Sequence, residues 1–385
     1  MKILLLSQFF SSTRGGGEHL FYIMAKKLAD NDHQVWVITN KIKDEVYLSH
    51  KNIKIILVPP VLKYQGGLPP SIKDNVQYFL NSVRTGLNII RKNNIEIIHS
   101  NNFTPALVGS LLSFLTSKVH ITSVWDIFTL CGCDYWEKWV KQVGISKINQ
   151  IIGPIFEKLV LKTRCDAFHT ISDASKYDLV KYGAKKPIYM FPPAIEDIQD
   201  EKIIQNNKQF IYIGRLVFYK NVEILIRAIN IVRSKEKEVK LIIVGGGPHI
   251  KTIQEMITNL HLENNVTTKG YLDTKEKFQL ISESNALLFP SLCEGFGLVI
   301  LEAFSQKRPV LTSNIPPMSD IIENQKTGYL VDPHDENEWA EKIIKLINEP
   351  EVSQKMGEDG YKVLKEEYNQ ETFYQNLVNM YQSVL

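Results

Sequence analysis

Ala286-Leu287-Leu288-Phe289-Pro290-Ser291-Leu292-Cys293-Glu294-Gly295-Phe296-Gly297-Leu298-Val299-Ile300-Leu301-Glu302 decides how this chain is read. Residues 286–290 form a short apolar run suited to a buried strand, and residues 298–304 carry a helical pattern, so the segment is strand, loop, helix. In an α/β protein such a loop lies at the carboxyl ends of the strands, where ligands bind. The unpaired amides of the helix start favour a phosphate there. Glu294 falls in the loop and Glu302 about one turn inside the helix. Two carboxylates thus flank a place for an anion, and like charge repels unless cations are supplied nearby.

A second strand-loop-helix unit supplies them. Residues 209–213 read as a strand, Gly214-Arg215 follows, and Lys220-Asn221 opens a helix over 222–232. The Arg215 guanidinium can grip phosphate oxygens as a planar fork, and Lys220 adds a point charge at another helix N-terminus. Glu294 and Glu302 are then better suited to sugar hydroxyls than to phosphate. A third unit, a strand over 239–244 followed by Gly245-Gly246-Gly247-Pro248, offers backbone at Gly246 that a ring or phosphate can approach.

Gly214-Arg215 with Lys220, Pro290-Ser291, and Glu294 with Glu302 in the spacing E-x7-E resemble the nucleotide-sugar half of the GT-B glycosyltransferases, in particular glycosyltransferase family 4. The resemblance covers nearly the whole chain. Singly, a Gly-Arg pair or a glycine-rich turn is weak; the ordered set, each member after its own strand, is specific. It implies an α/β fold of two Rossmann-like domains facing each other across a cleft. It further implies transfer of a sugar from a nucleoside diphosphate sugar, a UDP- or GDP-sugar, to an acceptor hydroxyl with retention of anomeric configuration. Under it Glu294 holds hydroxyls of the donor sugar, Glu302 holds the ribose, and Ser291, Gly295, Phe296, Gly297 and Leu298 line the donor through their backbone.

The chain has 385 residues, 44% of them hydrophobic, enough for two or three soluble domains. A net charge of +3 without any basic block argues against nucleic acid. Residues 1–6 are apolar but too short for a signal sequence and lead into a strand, so the expected location is cytoplasmic. Cys131, Cys133, Cys165 and Cys293 are too few and scattered for a disulfide framework, and C-x-C alone is a poor zinc signature.

Strands are expected at 2–6, 34–39, 53–58, 95–99, 119–124, 167–171 and 188–191, with helical patterns between most of them, which argues for a parallel sheet. Pro192-Pro193 and the polar run 196–208 mark a boundary, because paired prolines and charge cannot continue a buried element. The expected domains are 1–195 for the acceptor and 196–370 for the donor. The second has further strands at 266–269, 310–312 and 329–331 and helices at 336–347 and 352–367. The resemblance implies that the last helix, about 371–385, crosses back onto the first domain.

Near the N-terminus Gly15-Gly16-Gly17-Glu18 follows the first strand and precedes a helix. A loop that keeps three glycines despite their entropy needs unusual geometry or a close ligand. The resemblance assigns Gly16 and Gly17 to the donor diphosphate. A dinucleotide fingerprint fails, since Leu20 stands where the third glycine of G-x-G-x-x-G belongs, and Gly245-Gly246-Gly247-Pro248-His249-Ile250 fails at the same place. Asp30-Asn31-Asp32 mimics a metal-binding D-x-D but lies between a helix and the start of a strand, on the wrong edge of the sheet. No metal and no cofactor are expected, with Arg215 and Lys220 standing in for a divalent cation.

Thr122-Ser123-Val124-Trp125-Asp126 departs from the relatives, many of which carry His-Asp here. Trp125 takes the histidine position and cannot accept a proton; Asp126 remains a catalytic candidate beside Arg215, Lys220 and Glu294. A buried structural tryptophan and a sugar-stacking one are both open. His99, Asn101 and Asn102 follow another strand and are candidates, with Trp125, for acceptor hydroxyls; His99 equally suits a satisfied core position. Pro193-Ala194-Ile195-Glu196 replaces the Asn-Gly-Val-Asp often found at the interdomain link.

Lys141, Lys147, Lys158, Lys162 and Arg164 accompany Ile145, Ile148, Ile152, Ile155, Phe156 and Leu159, a pattern suited to an interfacial helix on anionic lipid. Pro154 interrupts it, and a core helix with a solvated face predicts the same spacing. Relatives acting on lipid-linked sugars dock in this way, which implies peripheral contact with the inner membrane face. The acceptor is then a glycan or lipid-linked glycan in cell-surface polysaccharide or glycolipid synthesis. A nucleotide-sugar epimerase of the same architecture and a non-catalytic sugar-nucleotide-binding protein are the competing readings. Arg215 and Lys220 both sit in loops, so replacing either is expected to abolish turnover without harming the fold.

Overall fold

Runs of β-branched and leucine residues bounded by polar turns build two sheets, each buried on both faces as parallel strands require. The computed structural model describes residues 1–11, 15–43, 47–62, 71–132, 134–144, 147–195 and 205–385. Cys133, Ile145 and Glu196 lie outside the described residues. The chain divides into two units. Unit 1 comprises Met1–Val140, Ile145–Ala194 and Gln370–Leu385; unit 2 comprises Lys141–Gly144 and Ile195–Asn369.

The sheet of unit 1 contains β1 (Lys2–Leu6), β2 (Gln34–Ile42), β3 (Ile53–Leu62), β4 (Ile97–Ser100), β5 (Val119–Ser123), β6 (Ala167–Thr170) and β7 (Ile188–Met190). They run parallel in the order β3-β2-β1-β4-β5-β6-β7. Register is held by apolar pairs such as Leu4 beside Trp36 on one side and Ile98 on the other. The helix Gln370–Val384 belongs to this unit and buries Phe373, Leu377, Met380 and Tyr381. Phe373 meets Phe191 edge-on at 5.7 Å, and Ser383 Oγ donates to the Tyr189 hydroxyl at 2.7 Å.

Unit 2 contains β8 (Asn206–Ile213), β9 (Lys240–Val244), β10 (Val266–Lys269), β11 (Ser284–Phe289), β12 (Val310–Ser313) and β13 (Gly328–Val331). These too are parallel, in the order β10-β9-β8-β11-β12-β13. Trp339, fully buried, anchors a helix on this sheet and donates its indole N–H to the Asp332 carbonyl at 3.0 Å.

Both orders are doubly wound: each sheet grows outward from its first strand and then reverses. The reversals fall between β1 and β4 and between β8 and β11, and a crevice at the strand carboxyl ends is the usual ligand place at such a switch. The loops after β8 and β11 carry Arg215, Lys220, Ser291 and Glu294; those after β1, β4 and β5 carry Gly16, Gly17, Asn101, Asn102, Trp125 and Asp126. Asp30 ends a helix, and Asn31 and Asp32 turn in solvent toward the start of β2, at the opposite edge.

Two of the differences from the sequence expectation have a local cause. Strand β3 continues to Leu62, because pairing with β2 resumes after a register shift at Asn40/Lys41. Pro154 does not break its helix, Asn149–Lys162; it forfeits only the bond to the carbonyl four residues earlier, and its own carbonyl takes the Tyr182 hydroxyl at 3.1 Å. No helix among the described residues is long and apolar enough to cross a membrane.

Candidate active site

In unit 2 the site is built where three loops leave β8, β9 and β11. The backbone of the β9 loop presses on that of the β8 loop: a Cβ at Gly245 would lie 2.0 Å from the Gly214 carbonyl oxygen. That glycine run serves loop packing. Gly246, expected against a ring or phosphate, gives its carbonyl to the Leu216 amide at 3.0 Å and to the Tyr271 hydroxyl at 3.2 Å. The β11 loop is pinned to the β8 loop by the Tyr219 carbonyl, which accepts from the Leu292 amide at 2.7 Å and the Ser291 hydroxyl at 3.3 Å. Ser291 is fully buried and also bonds the Cys293 carbonyl at 3.0 Å, so its hydroxyl holds the loop.

Tyr219 gathers the charged groups. Its hydroxyl accepts from Arg215 Nη2 at 2.8 Å, and its ring lies 5.2 Å from the Lys220 ammonium. Lys220 Nζ sits 5.4 Å from the Phe289 ring and is hydrogen-bonded to Glu294 Oε1. With side-chain exposures of 10% and 12%, this ion pair is shielded enough that its Coulomb energy is not screened away. Removing one partner would strand a buried charge, which costs about 3–5 kcal/mol. Lys220 therefore supports the fold as well as the site, contrary to its expected freedom in a loop: it lies in a 3-10 turn, Phe218–Lys220, and is 8% exposed.

Gly297 caps the helix Leu298–Ser305 with φ of 94°, and a side chain there would press Phe289 and Ile300. The first amides of that helix lack intrahelical acceptors and form a place for an anion. Leu298, its first residue, is half-buried. Gly295 and Phe296 are buried, Phe296 edge-on to Tyr368 at 5.6 Å. Glu302, one turn on, accepts from Lys277 Nζ at 2.6 Å. Each glutamate of the E-x7-E spacing thus has its own lysine. Sequence reasoning missed Lys277 and Tyr219, because a lysine inside the helix Thr274–Glu283 and an aromatic in a turn carry no local signal.

At the corresponding edge of unit 1 the buried groups around His99 and Trp125 are uncharged side chains. His99 is enclosed at 0% exposure, with Nδ1 2.8 Å from the Tyr381 hydroxyl and Nε2 2.7 Å from Ser123 Oγ. Burial and the neighbouring His169 and His120 hold its pKa well below the usual histidine range. His99 is a satisfied core residue and does not reach an acceptor, because both ring nitrogens point into the sheet's own polar network. Asn101, 8% exposed, accepts from Trp125 Nε1 at 2.8 Å and from the Asn102 amide at 3.0 Å, and donates to Ser7 Oγ at 3.2 Å. Trp125 is 7% exposed, too enclosed to stack on a sugar. Asn102 and Asp126 are half-exposed and line a crevice with Phe103 and Glu157. Gly16 is exposed and Gly17 starts the helix Gly17–Asp30. Among the described residues no group of three acidic, histidine or cysteine side chains is arranged to hold a metal.

Residues 14–197 match the family described as Glycosyltransferase Family 4, and residues 194–363 match Glycosyl transferases group 1. The chain belongs to the GT-B glycosyltransferases of the family 4 type. It is a transferase enzyme. It is 26% identical over 364 residues to an uncharacterised glycosyltransferase of Methanocaldococcus jannaschii, covering 94% of this chain and 92% of the relative. It is 30% identical to a poly(ribitol-phosphate) alpha-N-acetylglucosaminyltransferase of Staphylococcus aureus, over 55% of this chain and 43% of the relative. In fold it is similar to sucrose-phosphate synthase of Thermosynechococcus elongatus, with a TM-score of 0.82 at 19% identity, covering 100% and 98% of the two chains. Anabaena HepE, solved in complex with UDP and glucose, superposes with a TM-score of 0.75 at 19% identity over the whole of both chains.

Proposed function

We propose that this glycosyltransferase takes a UDP-linked sugar in unit 2 and passes it, with retention of configuration, to a hydroxyl of a glycan or lipid-linked acceptor held by unit 1. The observation that carries the reading is the assembly of Arg215, Lys220 and Glu294 around Tyr219 at the β8–β11 switch, beside the helix start at Gly297. The acceptor oxygen bonds to the anomeric carbon as the bond from that carbon to the β-phosphate oxygen breaks. The acceptor's proton passes to the departing diphosphate, which leaves as UDP. Cations already aimed at the oxygens that gain charge lower this barrier most, since they need no reorganisation. Arg215 and Lys220 supply that charge, Glu294 and Glu302 hold sugar and ribose hydroxyls, and the family resemblance assigns Gly16 and Gly17 to the donor diphosphate. HepE's complex with UDP favours uridine over guanosine.

On this reading the side-chain cations replace a divalent metal. UDP release from a panel of UDP- and GDP-sugars, with and without an acceptor extract and with and without chelator, tests it. Acceptor-dependent, chelator-resistant UDP release is expected; isomerised sugar without acceptor would support an epimerase, and magnesium-restorable loss would refute metal independence.

Peripheral membrane contact is favoured by an outward apolar stripe. Ile148, Ile151, Ile152, Ile155 and Leu159 are 39–66% exposed and recur at helical spacing. Lys147, Lys158 and Lys162 flank them, while the one carboxylate of that helix, Glu157, turns inward to the Phe128 and Thr129 amides. Tyr177 and Val180 continue the exposed apolar surface on the adjoining helix, which the Tyr182–Pro154 bond ties to the first. Apolar exposure rimmed by cations fits an anionic bilayer. Co-sedimentation with phosphatidylglycerol vesicles is expected, and Ile151→Glu with Ile155→Glu should abolish it; equal binding to neutral vesicles or by the variant would refute the contact.

A further inference from the structure

We propose that Trp125 is a positioning residue: its indole fixes the start of the helix Gly17–Asp30, and it can do so only because position 17 carries no side chain. The inference rests on the reading above that the loop at Gly16 and Gly17 contacts the donor diphosphate.

A Cβ at Gly17 would lie 2.4 Å from Trp125 Nε1 and 2.6 Å from Cδ1, whereas non-bonded carbon atoms settle at about 3.5–4.0 Å. The indole is therefore seated directly against the first residue of the helix. It cannot retreat. Its N–H is held by Asn101 Oδ1, the Trp125 backbone carbonyl accepts from Ser175 Oγ at 2.7 Å, and the ring is wedged edge-on between Phe21 at 6.1 Å and His169 at 5.4 Å. Asn101 is fixed in turn by Ser7 Oγ and by its own amide, which donates to the Leu6 carbonyl at 2.8 Å. Segments that follow β1, β4, β5 and β6 thus meet around this one residue. At Gly16, by contrast, an added Cβ meets nothing within 4 Å, so the close fit is specific to position 17. With its N–H engaged and its ring enclosed, the indole has neither a proton nor a face to offer substrate. What it sets is the place of the helix's first amides.

The test is a double-mutant cycle in the full chain, reading donor KM and kcat. Gly17→Ala and Trp125→Ala are each expected to raise donor KM about tenfold with kcat reduced less than about threefold, and the double variant to be no worse than Trp125→Ala, because the indole atoms that a methyl group at position 17 would strike are gone. Gly16→Ala should combine additively with Trp125→Ala. Trp125→Phe, which keeps a ring and loses the Asn101 bond, should raise KM about twofold to fivefold and guards against misfolding of the alanine variant, checked by circular dichroism. Full additivity of Gly17→Ala with Trp125→Ala, or an unchanged KM in folded Trp125→Phe, would overturn the proposal. Lys220→Met separates the two readings: if it abolishes turnover while the Trp125 variants keep their KM, only the positioning role falls; if it leaves turnover intact, the donor reading itself falls.

Discussion

The β8–β11 edge of unit 2 and the β1–β4–β5 edge of unit 1 share one topology and differ in chemistry. Both are switch points of doubly wound parallel sheets, so both present loops and helix starts at the strand carboxyl ends. At the first, two lysine–glutamate pairs, Lys220 with Glu294 and Lys277 with Glu302, lie in partial burial, and Tyr219 joins the first pair to Arg215. At the second, the buried polar groups are neutral: Tyr381, His99, Ser123 and His169 form one hydrogen-bonded chain, and Ser7, Asn101 and Trp125 another. The fold provides the place, and the loop residues decide whether it stabilises a growing charge or merely fixes geometry. Such a neutral network is well suited to holding shape, since every satisfied buried group resists movement.

The contrast breaks most readily at Lys220. Lys220→Met is expected to lower kcat/KM by about 10³-fold, since a preorganised charge is lost where the diphosphate develops its own. It should also lower stability, because Glu294 is left buried and unpaired. Adding Glu294→Gln should restore the melting temperature without restoring turnover. Recovery of both would show that the pair serves folding alone.

Acid should separate the two units next. Burial lowers the pKa of His120 to about 4 and of His169 to about 3, and lowers that of His99 as well, all from an ordinary 6.5. Below pH 6.5 the unfolded chain therefore binds more protons than the folded one, and stability falls with pH until the folded pKa values are reached. His169 Nε2 is buried without a hydrogen-bond partner, so a proton there has nowhere to be shared. Amide protection factors in unit 1, taken relative to the intrinsic exchange rate at each pH, should fall between pH 6.5 and 4 by up to about tenfold per pH unit for each histidine. In unit 2, burial works to raise the Glu223 carboxyl, but the bonds from His249 and its own backbone amide, with the nearby charges of His249 and Arg227, together outweigh this and hold it below its ordinary value, so its contribution is lost only at lower pH. Simultaneous exchange of both units across that range would contradict the assignment of acid sensitivity to the histidine network.

The smallest effect is expected at Lys277. Lys277→Met should raise donor KM about threefold with kcat nearly unchanged, because the lysine orients Glu302 and its partner carboxylate can still turn to a ribose. A change in kcat alone would place Lys277 nearer the reacting atoms than the geometry suggests.

Much of this was legible in the residues. The strands at 2–6 and 266–269 match to the residue, because apolar runs between turn formers have few other uses. Arg215 and Lys220 after one strand, and Glu294 and Glu302 after another, stood out because their spacing places them at the carboxyl edge. Strand ends were less visible: the strand expected at 95–99 is Ile97–Ser100, since Ser100 is drawn into the sheet by pairing with Thr122. The surroundings of His99 and Gly246 were not legible, because their partners are remote in sequence. Tyr381 lies 282 residues from His99, and the contacts of the Gly246 carbonyl come from the preceding and following loops.

What the sequence determined by itself is the alternation of strands and helices, the family motif, and which residue types stand at the carboxyl edge of each sheet. These follow from local periodicity and spacing. The tertiary structure decided which of those residues are available. It paired each motif glutamate with a lysine, sealed His99 behind Tyr381, and set the Trp125 indole against a glycine 108 positions away. Burial and pairing depend on which loops the sheet order brings together, and no local pattern encodes that order.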